Sequence, residues 1–123
     1  MKSKGDWGGL WNYTWQTGIN QYGDNVHGSM YRHLWSNGPK ECLEFSNYSF
    51  DEHFKKPIPS FPPREVLHDY IIGRVKDTYI KDQIKFNHTV KHCQYNEDTS
   101  LFEVTVHDNI NNREITEYYN WVV

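Results

Sequence analysis

Apolar and polar positions change their period twice along this chain. Up to about Pro63 neither a helical nor a strand period holds over any long window. Gly, Asn, Ser, Trp and Tyr crowd together there, which reads as ordered loops with short helical turns. A loop region this long inside a compact domain is uncommon and is usually functional or disordered. The density of rings favours order, because disordered segments are poor in aromatics. Pro62-Pro63-Arg64-Glu65 then opens a helix, with proline tolerated in the first turn and an acidic residue near the positive end of the dipole. Val66, Leu67, Tyr70, Ile71, Arg74 and Val75 recur at spacings of three and four and form its apolar stripe, and the helix is expected to end near Lys76 or Asp77.

Beyond that helix the period becomes two. Ile84–Phe86, Thr89–Tyr95, Leu101–His107 and Arg113–Tyr119 are strand candidates, with Asn96–Ser100 and Asp108–Asn112 as turns. Phe102, Val104 and Val106 alternate with Glu103, Thr105 and His107, the pattern of an antiparallel meander with one wet face. Trp121-Val122-Val123 is expected to begin a further strand, and a chain that stops there reads as truncated.

With 123 residues the chain is expected to form one domain at most, since domains run to about 100–150 residues. It contains no alanine, so its core has to be built from rings and from Ile, Val and Leu. A formal charge of −3, with the two signs interspersed, argues against a nucleic-acid partner, which calls for a basic face. There is no apolar run of membrane-spanning length and no secretory signal, so a cytoplasmic protein is expected, without a membrane partner. Cys42 and Cys93 lie far apart with no Cys-x-x-Cys and read as reduced structural thiols. His88 and His92 stand four apart in a strand-like stretch with no third ligand at partner spacing, so no metal site is expected. Asp51-Glu52 reads as a solvated pair of carboxylates in a polar loop, and no Gly-x-Ser-x-Gly elbow marks a nucleophile.

Asp6-Trp7-Gly8-Gly9-Leu10-Trp11-Asn12-Tyr13 is the most specific stretch. It is joined in order by Val26-His27-Gly28-Ser29-Met30-Tyr31, Leu34-Trp35-Ser36-Asn37-Gly38-Pro39-Lys40-Glu41, Phe50-Asp51-Glu52-His53-Phe54 and Pro62-Pro63-Arg64-Glu65-Val66-Leu67. In these segments, over nearly its whole length, the sequence resembles the flavin-containing monooxygenases, and within them the bacterial trimethylamine-oxidising branch. The resemblance implies an α/β fold: an incomplete FAD-binding Rossmann-like domain with ordered aromatic loops, one clear helix and an antiparallel β-meander, spanning residues 1–123. It implies an enzyme that uses FAD, NADPH and oxygen to oxygenate a tertiary amine such as trimethylamine through a flavin hydroperoxide, in a parent protein assembled as a homodimer. By position it makes Leu10, Trp11, His27, Asn37 and Val90 FAD contacts, Trp35 and Asn37 contacts to the nicotinamide cofactor, and Asn37 the catalytic residue. The paired glycines would let the backbone approach the cofactor.

The sequence also departs from that family. It has no G-x-G-x-x-G to seat a pyrophosphate, and Lys2-Ser3-Lys4 stands where an acidic residue for the adenosine ribose is expected. The NADP-binding domain is missing as well. A gene fragment, or a reading frame that starts at a false or secondary Met, inactive in isolation and weak in FAD binding, is therefore expected. Two blander readings remain. One is a non-catalytic, aromatic-rich β-type binding module that holds sugars or methylated amines by its rings. The other, for Asn37 alone, is a turn-capping residue before glycine.

Overall fold

A computed structural model describes residues 6–26 and 28–123. The chain divides into two compact units, Trp7–Lys81 and Asp82–Val123, the latter grouped with Asp6.

In the first unit the loops are ordered by short elements. Gly9–Trp11 and Lys40–Cys42 are single 3-10 turns, and Phe50–Phe54 forms helix α1. Ser49 starts α1 with a capping box: its hydroxyl accepts the Glu52 N–H at 3.1 Å, and the Glu52 carboxylate accepts the Ser49 N–H at 2.9 Å. The expected polar loop at Asp51-Glu52 is thus the first turn of a helix, where both carboxylates face the positive end of its dipole. Helix α2 runs Arg64–Lys76, as its spacing predicts. Pro63 sits at its N-cap, and Arg74 and Lys76 place positive charge in the last turn. Leu67 and Tyr70 are its fully buried positions, and with Phe50 they form the core, against which Trp11, Tyr48, Phe54, Ile58, Val66 and Ile71 pack. Tyr70 is the hub. Its ring stacks on Phe50 at 3.9 Å between centroids, its hydroxyl accepts the Phe45 N–H at 2.9 Å, and it donates to the Tyr48 carbonyl. Burial pushes this phenol's pKa above its ordinary value.

A four-residue helix α3, Ile80–Gln83, precedes the second unit's sheet. That sheet is a meander in the order β1-β2-β3, with β1 His88–Asn96, β2 Leu101–Asp108 and β3 Arg113–Tyr119. Both pairings are antiparallel, and β1 carries an irregularity between Val90 and His92. On β2, Val104, Val106 and Asp108 are buried, so the alternation read from the sequence is the alternation of the sheet. Two expected strands do not form. Among the described residues Ile84–Phe86 joins no ladder, and only Phe86 stands in a bridge; Asn87 at φ 56 then turns the backbone before β1 begins. Trp121-Val122-Val123 is irregular and exposed, because apolar residues become a strand only where a neighbouring strand takes up their backbone groups. The two cysteines are free, as expected, but both are exposed, so neither is a core thiol.

Asp108 holds the β2–β3 turn. Its carboxylate accepts from the Asn111 side chain at 2.7 Å, from the Asn111 N–H at 3.1 Å and from the Ile110 N–H at 3.1 Å. These donors, the Asn111 side chain first, pull its pKa down to about 2. A folded-state pKa below the unfolded value of about 4 means that the charged form stabilises the fold above that value. The contribution is lost as pH falls from about 4 through about 2. Urea titrations from pH 5 to pH 2 are therefore expected to show a steeper loss of stability for the wild type than for Asp108→Asn. Parallel profiles would contradict this assignment.

Candidate functional site

Two loop segments converge on the first half of α2. The segment Leu34–Ser36 runs antiparallel to Pro62–Arg64: the Ser36 N–H donates to the Pro62 carbonyl at 2.9 Å and the Arg64 N–H to the Leu34 carbonyl at 2.9 Å, with Trp35 opposite Pro63. The turn at Gly8–Asn12 packs on the same helix. Gly8 is at φ 93, and its carbonyl accepts the Trp11 and Asn12 N–H groups at 2.9 and 3.3 Å. A Cβ at Gly8 would lie 2.5 Å from the His68 ring, whereas one at Gly9, at φ 54, would meet nothing within 4 Å. The two glycines thus have different jobs. Gly8 admits His68 of α2, and Gly9 leaves an open backbone approach.

Arg64 ties the segments to each other. Its Nε donates to the Arg32 carbonyl at 2.8 Å, and its guanidinium lies 4.5 Å from the centre of the Tyr13 ring.

On this frame Leu10 and Trp35 project outward, 60% and 57% exposed. Asn37, in the bend after Ser36, is exposed too, and its amide bonds to no group among the described residues. The turn around it is held by Ser36 instead. The Ser36 hydroxyl accepts the Gly38 N–H at 3.1 Å and donates to the Gly38 carbonyl at 2.7 Å, while Ser36 itself is only 7% exposed. The turn-capping reading of Asn37 therefore loses its object. Trp11 differs from its neighbour Leu10, since it packs against the Phe50–Leu67–Tyr70 core. Val90 belongs to the second unit, where it is half exposed on β1 and lines an open cavity of about 420 Å³ with Lys85, Val104, Tyr119 and Trp121. His27 and the Lys2-Ser3-Lys4 stretch lie outside the described residues. His88 and His92, far from forming a ligand pair, turn to separate acceptors, the Phe86 carbonyl at 2.6 Å and the Gln94 side chain at 3.1 Å.

Sequence reasoning passed over Ser36, Arg64 and His68 as parts of this frame. Ser36 and Arg64 stand inside the quoted segments, but their partners are set by tertiary pairing, and only the Gly8–Gly9 pair hinted that something must approach.

A family model for flavin-binding monooxygenase-like proteins matches residues 1–118. The chain belongs to that family. It is 56% identical over its full length to the trimethylamine monooxygenase of Methylocella silvestris and 62% identical over 118 residues to that of Pelagibacter ubique. The crystal structure of Tmm from a Pelagibacter species superposes with a TM-score of 0.90 at 56% identity, covering 98% of this chain. S-allyl-L-cysteine S-oxygenase from Allium sativum shares the fold, with a TM-score of 0.78 at 22% identity. The chain spans about a quarter of the length of these relatives: 27% of the Methylocella protein, 26% of the Pelagibacter ubique protein and 27% of the protein in the Pelagibacter crystal. Among the described residues no helix is long and apolar enough to cross a membrane.

Proposed function

We propose that this chain forms part of the FAD-binding domain of an NADPH-dependent monooxygenase that oxygenates tertiary amines such as trimethylamine. The observation that carries this reading is 56% identity, over all of this chain and 27% of its relative, to a protein named for that activity. The residues present fit the cofactor: Gly9 offers an open approach, Leu10 and Trp35 offer uncovered apolar surface, and Asn37 offers an amide with no partner among the described residues. Leu10 and Trp11, with His27, Asn37 and Val90, are assigned to FAD, and Trp35 and Asn37 to the nicotinamide cofactor. A bound FAD supplies two electrons from NADPH to oxygen, so that amine, O2, NADPH and a proton become N-oxide, water and NADP+.

What this chain's residues do is more limited and more specific. The Trp35 ring shields the site from water, and Asn37 holds oxygen by a side chain that donates and accepts without bringing a charge. Arg64 keeps the two loops in register through their backbone and the Tyr13 ring.

The lack of a glycine-rich pyrophosphate seat in this sequence leads us to expect weak FAD binding and no turnover by the chain alone. Joining it to family-type sequence on both sides and measuring trimethylamine-dependent NADPH oxidation with N-oxide formation tests the function. A joined protein that binds FAD yet oxygenates no amine or sulfide would refute the proposal. Tight binding of a sugar or a quaternary amine by the isolated chain would favour the binding-module alternative.

A further inference from the structure

Asn37-Gly38 is the only Asn-Gly pair in the sequence, and it lies in an exposed bend. Nothing in the packing demands glycine at that position. Gly38 has no left-handed φ, and a Cβ there would meet only Leu43 and Ser36 atoms at 3.8 Å or more. Lacking a side chain, however, Gly38 leaves its backbone nitrogen unshielded beside the Asn37 amide. We infer that Asn37 is a site of spontaneous deamidation whose rate is set by the buried Ser36 hydroxyl.

The chemistry needs only this protein and water. The Gly38 nitrogen loses its proton to solvent base and attacks Cγ, the amide carbon of Asn37. A new bond forms between that nitrogen and Cγ, the bond from Cγ to the amide nitrogen Nδ2 breaks, and ammonia leaves, giving a five-membered succinimide. Water then opens the ring at either carbonyl, leaving aspartate or isoaspartate at position 37. No electrons change hands.

The Ser36 clamp opposes the first step twice. By accepting the Gly38 N–H at 3.1 Å it holds the proton that must be lost. By donating to the Gly38 carbonyl at 2.7 Å it fixes the local backbone that must rotate to bring the nitrogen onto Cγ of Asn37. The clamp is itself anchored, because the Ser36 N–H is bonded to the Pro62 carbonyl at the start of α2. A residue this well placed to restrain its neighbour's cyclisation makes the native rate a property of the fold rather than of the dipeptide. The inference stands apart from the oxygenase reading; where that reading holds, the product exchanges a neutral amide for a carboxylate at the oxygen-facing position.

The test incubates the purified 123-residue protein at pH 8 and follows position 37 by peptide mass and isoaspartate assay. Conversion at Asn37 is expected to be slower in the native protein than in urea, and slowed further in Gly38→Ala. Ser36→Ala, which loses both hydroxyl bonds to Gly38, is expected to convert at least about 5-fold faster than wild type in the native state, the effect of losing one such hydrogen bond being the lower bound. Ser36→Thr, which keeps the hydroxyl, restores the slow rate. In urea, wild type and Ser36→Ala should react alike, which separates loss of the clamp from any change in the dipeptide itself. Circular dichroism establishes whether Ser36→Ala is folded; if it is not, the wild-type rate in the native state against that in urea carries the comparison. Equal native and denatured rates for the wild type, or modification centred on another asparagine, would overturn the inference.

Discussion

Phe50→Ala is expected to destabilise the Trp7–Lys81 unit by about 3–5 kcal/mol, the usual effect of truncating a fully buried phenylalanine. Phe50 is 0% exposed, and its ring lies almost parallel to Tyr70, 3.9 Å between centroids and 10° between planes. Removing it opens a cavity against the face of the one ring that also ties the loops together, through the Phe45 N–H and the Tyr48 carbonyl. A protein without alanine has few small groups that could shift inward to fill the gap. Since domains are stable by only about 5–15 kcal/mol, the loss would unfold much of the population at moderate urea. Amide hydrogen exchange along α2 is the measurement, because it reports this unit and not the sheet. Leu67 and Tyr70 amides that exchange as slowly as in wild type would mean that the core is built elsewhere.

The parts of this fold that were legible in the sequence are those whose cause is local. Helix α2 announced itself through two prolines and a three-and-four spacing, and β2 through strict alternation of Val104 and Val106 with polar residues. Helix α1 was read only as part of a loop, because five residues are too few to show a period; its signal was chemical, the Ser49–Glu52 box. Ile84–Phe86 and Trp121–Val123 failed for the opposite reason. Each has the composition of a strand, but pairing depends on a neighbour that the composition does not supply.

The candidate site divides along the same line. Leu10, Trp35, Asn37 and Val90 were named through the family resemblance, and all four are exposed. What braces the segments carrying Leu10, Trp35 and Asn37 is non-local: Ser36 to Pro62, Arg64 to Arg32 and Tyr13, His68 against Gly8. No spacing within a segment of the sequence encodes those contacts, although the glycine pair records the constraint that one of them imposes.

In the protein completed by family-type sequence on both sides, Asn37→Leu is expected to retain FAD and lose N-oxide formation by about 100-fold, the usual effect of removing one preorganised donor. The argument begins with what holds the loop. Because Ser36 carries both hydrogen bonds to Gly38 and a third to Pro62, replacing the Asn37 side chain removes no brace, so the backbone should keep its course. Leucine is close in size to asparagine and apolar, so the change deletes a donor and an acceptor without adding a charge. Electron delivery from NADPH does not require oxygen to be held for transfer, so NADPH oxidation should continue with hydrogen peroxide released in place of N-oxide. The readout is therefore a ratio, N-oxide formed per NADPH consumed, which a merely destabilised protein would leave unchanged while losing both activities together. Asn37→Gln, which restores the amide one methylene further out, should recover part of the coupling, and the loss seen in the leucine variant is also expected in wild-type protein aged until Asn37 has become a carboxylate. A leucine variant that oxygenates trimethylamine at the wild-type rate, with tight coupling, would show that the amide exposed beside Trp35 takes no part in the reaction.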